Sequence, residues 1–247
     1  MSGRLPLVAL WIATGYGIAA GLSWCLLQVP ESSVWMLGLS AGLVLAICVA
    51  LLWVTGGVLL AWHPQIAPMR AFVSGLSAGR AVAAGAVLFG AIWWATHAAL
   101  TWHAAHSGEI DAVIISRTGA SNTAWLHRAI VWTIWLLRWG PGFTLALSLA
   151  AWIAASGTSA IGAAGWIRSG ISPKRWTVIL ALTALCFMMP WRFVYWRPPH
   201  LTLTMEPWFV GVKLGAMALL ASIAWALMIR VVTPVSDHTP QMQATRM

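Results

Sequence analysis

The chain has 247 residues, of which 60% are hydrophobic and 8% charged, and its mean hydropathy is +0.82. Soluble globular domains carry about 25% charged residues, so the charge expected of a water-exposed surface is missing. This composition excludes a soluble enzyme, a secreted disulfide scaffold, a disordered tail and a nucleic-acid-binding protein. We therefore predict an all-α, polytopic helical membrane protein that forms a single integral domain over residues 1–247, with the lipid bilayer as its first partner.

The net charge of +9 comes from 14 Lys and Arg against 5 Asp and Glu. The cations stand singly between apolar segments, which is typical of membrane topology, so we expect no nucleic-acid partner. Cys25, Cys48 and Cys186 lie inside apolar segments and form no CxxC motif. We expect them to act as small hydrophobic residues, not as a disulfide or a redox site.

Long apolar runs predict the membrane spans, because about 20 residues of helix cross the hydrocarbon core. Six runs qualify, and a short tail over 233–247 follows them: 5–29, 34–62, 81–102, 142–167, 176–195 and 207–229. The first run is longer than the apolar region of a cleavable signal, so we expect an uncleaved span. The fifth is the least regular, because Pro190 and Arg192 fall near its end.

Residues 122–139 combine an apolar face with a cationic one. Asn122 is suited to begin a helix and Gly140-Pro141 to stop it. His127, Arg128 and Arg138 fall on one side of the helical wheel, opposite aliphatic and aromatic residues. This pattern favours an amphipathic helix lying in the membrane interface. The alternative, a seventh span, would place Arg128 inside the hydrocarbon.

Six spans place both termini on one side of the membrane, and the distribution of cations indicates which side. The N-terminal side would hold Arg4, Arg70, Arg80, Arg168, Lys174, Arg175, Arg230 and Arg246. The opposite side would hold Arg117, Arg128, Arg138, Arg192 and Arg197. We therefore predict a multi-pass protein of the plasma membrane, such as a bacterial inner membrane, with cytoplasmic N- and C-termini.

Histidines cluster after the third predicted span. His103, His106 and Glu109 share one side if the helix continues, and His127 and His200 are predicted at the same membrane face. Imidazoles bind zinc and copper, so His103 and His106 are candidate ligands for Cu or Zn. Solvated loop histidines are the alternative, since no tight metal motif is present. No other cofactor is expected.

Two further features could mark a site within the membrane. Lys213 lies about two turns into the sixth span, where a charge needs a partner such as Glu206, a water-filled cavity, or room to extend to the interface. Glycine-containing polar stretches at 14–17 and 156–159 occur in the leading helices of two predicted three-span halves. Interrupted helices at such positions are typical of transporters.

Glycines four residues apart recur along the chain, and such pairs allow close approach between membrane helices. They are Gly17 and Gly21, Gly38 and Gly42, Gly75 and Gly79, and Gly211 and Gly215.

The functional prediction is a small transporter or the membrane subunit of a transport complex, with an unknown substrate. The alternative is a non-catalytic scaffold or assembly subunit that contacts other membrane subunits or a second copy of the chain. Copper or zinc handling at the outer face is a further alternative. An enzyme acting on lipid ranks third, after the transporter and the scaffold, because neither a carboxylate pair nor a nucleophile–base pair is visible.

Overall fold

A computed structural model describes residues 4–30, 33–63, 65–119, 122–158, 164–188 and 206–233, and these residues contain helices and no strand. The helices are α1 (Arg4–Leu27), α2 (Val34–Ala61), α3 (Pro68–Val73), α4 (Gly79–Ala105), α5 (Ser107–Thr118), α6 (Ala124–Leu137), α7 (Phe143–Ser156), α8 (Gly165–Ile171), α9 (Pro173–Thr183) and α10 (Glu206–Val232). A 3₁₀ turn over Gly75–Ala78 precedes α4, while π turns follow α6 at Arg138–Gly142 and α9 at Ala184–Met188.

Five helical segments of the described residues are long and apolar enough to cross a membrane. They are Arg4–Leu27, Val34–Ala61, Gly75–Ala105, Ala124–Ser156 and Trp208–Val232. The chain is thus a helical, multi-pass membrane protein. Helices α1, α2, α4 and α10 begin and end within three residues of the spans predicted at 5–29, 34–62, 81–102 and 207–229.

The region from 122 to 167 differs from the prediction. Gly140-Pro141 does not stop the helix, because the wider π turn accommodates Pro141 and joins α6 to α7 in one segment, Ala124–Ser156. The interfacial helix predicted at 122–139 is therefore the first half of this segment. The predicted span 142–167 is cut short at Ser156, where Gly157 takes a φ of 74° and ends α7.

The fifth predicted span, 176–195, also differs. Helical structure begins earlier, at Gly165, and is broken at Ser172-Pro173, where Pro173 starts α9. Proline is tolerated in the first turn of a helix but cannot continue one, since it lacks an N–H. Residues 189–195 lie outside the described residues.

Contacts at the start of α1 define one end of the bundle, which we call the Arg4 end. Arg4 Nη1 donates to the carbonyl oxygens of Ala61 and His63, both at 3.0 Å, and so joins the start of α1 to the end of α2. The Arg230 guanidinium lies 5.4 Å from the Trp62 ring, so α10 ends there too. The opposite end, where α4 meets α5, is called the His103 end.

The buried core lies toward the Arg4 end. Val8, Ile12, Val58 and Ile229 are almost fully buried there, whereas Trp24, Val34 and Trp35 near the opposite end of α1 and α2 are exposed. Apolar side chains on the outside are expected for helices that face lipid.

Candidate functional site

Helix α4 packs antiparallel to the continuous α6–α7 segment, and this helix pair carries most of the embedded polar groups. Gly85 lies against Ala146, whose carbonyl oxygen is 2.9 Å from the place of a Gly85 Cβ, and Gly142 lies against Ile92. Farther along, Thr96 contacts Arg138 and His103 contacts His127. The pairing orders these contacts by depth, with Arg138 inside and the histidines at the His103 end.

Three polar side chains form a hydrogen-bonded chain at the His103 end. His103 Nε2 lies 3.1 Å from His127 Nδ1, and His127 Nε2 lies 2.7 Å from Asp111 Oδ1. On a straight helix Asp111 would be about 12 Å beyond His103 along the axis. The bend between α4 and α5, with His106 at φ −105° and ψ 11°, therefore brings Asp111 back toward His127.

The charge on Asp111 determines which ring nitrogen of His127 carries a proton. Hydrogen bonds from Thr123 and His127 lower the pKa of the Asp111 carboxyl, so it is ionised at neutral pH. An ionised carboxylate only accepts hydrogen bonds, so His127 Nε2 must carry a proton. His127 Nδ1 then either accepts from His103 or, in the imidazolium form, donates to it.

The predicted metal ligands His103 and His106 do not point to one place. His103 is 7% exposed and faces His127, whereas His106 stacks on Trp102 and its Nδ1 lies 2.9 Å from the Trp102 carbonyl oxygen. Among the described residues, no three His, Cys, Asp or Glu side chains form a group suited to a metal ion. His200 lies outside the described residues. Copper or zinc binding stays a prediction, which the metal content of the purified protein tests.

Arg138 is an embedded cation near the middle of the Ala124–Ser156 segment. Its side chain is only 7% exposed. Its Nε donates to Thr96 Oγ1 at 2.8 Å, and its Cζ lies 4.0 Å from the centre of the Trp93 ring. Nη2 is buried and has no hydrogen-bond partner in the described part of the chain. An arginine cannot shed its charge, so the described residues compensate this buried cation incompletely.

Aromatic rings surround this position. The Trp93 ring, which lies under the guanidinium, contacts Trp139 and Phe89 with centroid distances of 5.9 and 6.1 Å. Phe143 continues the cluster, 5.3 Å from Phe89. Arg138 therefore combines a charged, partly unsatisfied head with apolar, polarisable surroundings.

Two helix interruptions meet near the same depth. Gly140, in the π turn, is 16 residues from each end of Ala124–Ser156 (140 − 124 and 156 − 140). A Cβ on Gly140 would lie 3.2 Å from the Trp176 ring, four residues after the break at Ser172. Toward the Arg4 end, Gly170 of α8 packs against Leu145 of α7. Helices α8 and α9 therefore run back along α7 with their break inside the bundle.

A second polar cluster connects α7 to this broken helix. Ser148 Oγ lies 3.3 Å from Ser169 Oγ, and both side chains are buried. Arg175, from the far side of the break, donates to Ser169. Arg168 and Lys174 are exposed on the same two helices. The three cations thus lie on helices beside α7, whereas the sequence predicted them between the spans 142–167 and 176–195.

The sixth predicted span carries Lys213 on α10. Lys213 is half-buried and its Nζ lies 5.0 Å from the centre of the Phe209 ring, one turn nearer the His103 end. Its side chain thus extends toward the start of its helix, as expected when lysine reaches for an interface. The side chain of Glu206, its predicted partner, lies outside the described residues. The pairing stays a prediction.

Sequence reasoning placed Arg138 at the interface and missed the interruptions that the structure contains. Helix α1 runs unbroken through 14–17, and 156–157 is a helix end rather than a gap within a span. Its position near the centre of the long apolar segment Ala124–Ser156 could have indicated that Arg138 is embedded. Treating Gly140-Pro141 as a stop concealed it. Neither protein-family models, nor curated proteins, nor solved structures include a match to this chain.

Proposed function

We propose that this membrane protein is a small transporter or the membrane subunit of a transport complex. The supporting observation is that two interrupted helices, α6–α7 at its π turn and α8–α9 at Ser172-Pro173, pack against each other at mid-depth. Irregular backbone within a membrane is tolerated where it is enclosed by protein or lines a cavity. In transporters such places hold the substrate and allow the helices to move.

In this proposal α8 and α9 form a sixth crossing. Together with the π turn after α9 they extend from Gly165 to Met188, which at 1.5 Å per residue is about 36 Å. Six crossings place both termini on one side of the membrane. Arg4, Arg80 and Arg230 lie at the Arg4 end, which supports a cytoplasmic location for that end.

Cysteine labelling in intact cells tests this orientation. Ser77 and Ser116 are both exposed, at the Arg4 end and on α5, respectively. After replacement of the three native cysteines by alanine, Ser116→Cys should react with an impermeant maleimide and Ser77→Cys should react only after lysis. The reverse labelling would invert the proposed orientation. Labelling of both in intact cells would contradict the six-crossing topology.

Transport requires α8 to move relative to α7, and a cross-link between the two tests that requirement. The Ser148 and Ser169 oxygens are 3.3 Å apart, so Ser148→Cys with Ser169→Cys places two sulfurs within reach of a disulfide. Proteoliposomes that contain the protein would be placed in a hyperosmotic solution of choline chloride, sodium lactate, sodium phosphate or glycerol. Uptake of the solute would then be measured. We expect protein-dependent uptake of at least one solute, loss of that uptake on oxidation, and recovery on reduction.

The single variants Ser148→Cys and Ser169→Cys are the controls, since they cannot form the disulfide and should not respond to oxidation. A folded protein that moves none of these solutes would contradict the transporter proposal. If a second membrane polypeptide then co-purifies in a fixed ratio, the scaffold alternative would replace it.

A further inference from the structure

We infer that Arg138 is the binding site of a singly charged anion with an apolar body, of the organic monocarboxylate class. This inference rests on the proposed transport function and names the class of its substrate. The starting observation is that Arg138 is 7% exposed while its Nη2 has no partner among the described residues. A buried guanidinium with an unfilled donor is under-compensated until an acceptor reaches it.

The carboxylates of Glu109 and Asp111, whose side chains the structure describes, do not supply that acceptor. The five acidic residues of the chain are Glu31, Glu109, Asp111, Glu206 and Asp237. Asp111 is bonded to His127, which precedes Arg138 by 11 residues, or about 16 Å of helix. Glu109 is exposed on α5, and the segments 120–121, 159–163 and 189–205 contain no acidic residue.

Glu206 begins α10 and is too far along the bundle. The rings of Phe143 and Trp225 are 5.9 Å apart, and α7 and α10 both run toward the Arg4 end. Glu206 precedes Trp225 by 19 residues and Arg138 precedes Phe143 by five. The two side chains therefore originate at depths about 20 Å apart.

The described contacts of Arg138 account for Nε and one face of its guanidinium but not for Nη2. Thr96 occupies Nε, which closes the edge that Nε shares with a terminal nitrogen, and Trp93 covers one face. Nη2 has no partner among the described residues, and a carboxylate that bonds it can also reach Nη1, because its two oxygens match the spacing of paired guanidinium nitrogens.

Charge and surroundings favour a monoanion. One cation balances one negative charge, and among the described residues Arg175, which also lies beside α7, is already bonded to Ser169 of α8. A doubly charged phosphate would leave excess negative charge in an apolar region. The rings of Phe89, Trp93, Trp139 and Phe143 offer contacts to an apolar body.

The burial of Arg138 also favours a small molecule over the carboxylate of a neighbouring subunit. A side chain enclosed between α4 and α6 is reached by a neighbouring helix only if that helix pair separates. A small anion can enter through the smaller movements that interrupted helices permit.

Equilibrium binding of radiolabelled benzoate to the purified full-length protein in detergent tests the site. We expect saturable binding by the wild type and by Arg128→Lys, since Arg128 belongs to the same segment but is exposed. Arg138→Lys retains the charge but loses the paired donors, so its Kd should rise by about tenfold or more. Arg138→Gln should abolish binding. If it fails to fold, the Lys variant decides the question.

Binding that is unchanged in Arg138→Lys, or that inorganic phosphate displaces as well as benzoate, would overturn the inference. It would also be overturned by a second membrane polypeptide that co-purifies with the wild type and is lost from Arg138→Gln. Because binding is measured without transport, the two proposals fail separately. Arg138-dependent binding without uptake removes only the transport function, and uptake without Arg138-dependent binding removes only this site.

Discussion

Replacement of Gly56 by alanine is expected to destabilise the protein more than the same replacement at any other glycine of α2. A Cβ on Gly56 would overlap the carbonyl oxygen of Gly75, in the 3₁₀ turn that packs on α2. The nearest atoms, the carbonyl oxygen and carbon of Gly75, belong to the backbone, so they cannot rotate away as a flexible side chain could. Overpacking of this kind costs about 3 kcal/mol, which thermal unfolding of the purified protein in detergent would show as a lower Tm.

Gly42→Ala is the matched control on the same helix. A Cβ there would meet no atom within 4 Å, so the change should be neutral or slightly stabilising, because alanine favours helix over glycine by up to about 1 kcal/mol. Equal Tm values for Gly56→Ala and Gly42→Ala would contradict the close packing of α2 on the turn.

The second large effect is expected from Thr96→Val. The two side chains have the same shape, but valine leaves Arg138 Nε buried without its acceptor. Loss of a hydrogen bond to a charged group costs about 2 kcal/mol, and the embedded position adds the penalty of an unpaired donor. The free energy of unfolding should fall accordingly. Benzoate binding should weaken with it, because the guanidinium is then free to turn.

Thr101→Val provides the comparison for this change. Thr101 lies on α4 as well and bonds only to the His97 carbonyl of its own helix, as Thr96 also does with Ile92. The control thus removes the same local bond without touching Arg138. Thr96→Ser, which keeps the hydroxyl, should restore most of the stability. A Thr96→Val protein as stable as Thr101→Val would mean that Arg138 does not depend on Thr96.

The four-residue glycine spacing predicts few of the helix contacts in this chain. Of the glycines predicted to mediate helix contacts, Gly17, Gly21, Gly38, Gly42, Gly79, Gly211 and Gly215 have open space where a Cβ would be. Gly75 alone in that set is tightly packed, and its neighbour is Gly56, outside the pattern. A spacing of four residues describes one helix face, whereas contact depends on which face meets another helix.

For the candidate sites, the sequence likewise indicates which residues matter, but the tertiary structure decides which partners they contact. A lone arginine or histidine in an apolar helix is predicted to have a functional role, because burying it is costly. Which partner compensates it depends on residues distant in sequence. The pairing of Arg138 with Thr96 spans 42 positions and that of His127 with His103 spans 24. Neither can be read from local spacing, and the three-residue spacing of His103 and His106 did not indicate that His103 contacts His127 while His106 stacks on Trp102.

The amino-acid sequence by itself determined that this is a helical membrane protein, because so few charges cannot cover a water-exposed surface. It also determined where α1, α2, α4 and α10 lie, since uninterrupted apolar runs of span length leave the backbone one way to satisfy its hydrogen bonds. Only the tertiary structure decided how the chain passes Gly140-Pro141 and Ser172-Pro173. Proline excludes a regular helix at such points but permits a stop, a π turn or a break. Packing between α7, α8 and α9 selects among these, and with that choice it places Arg138 inside the bundle.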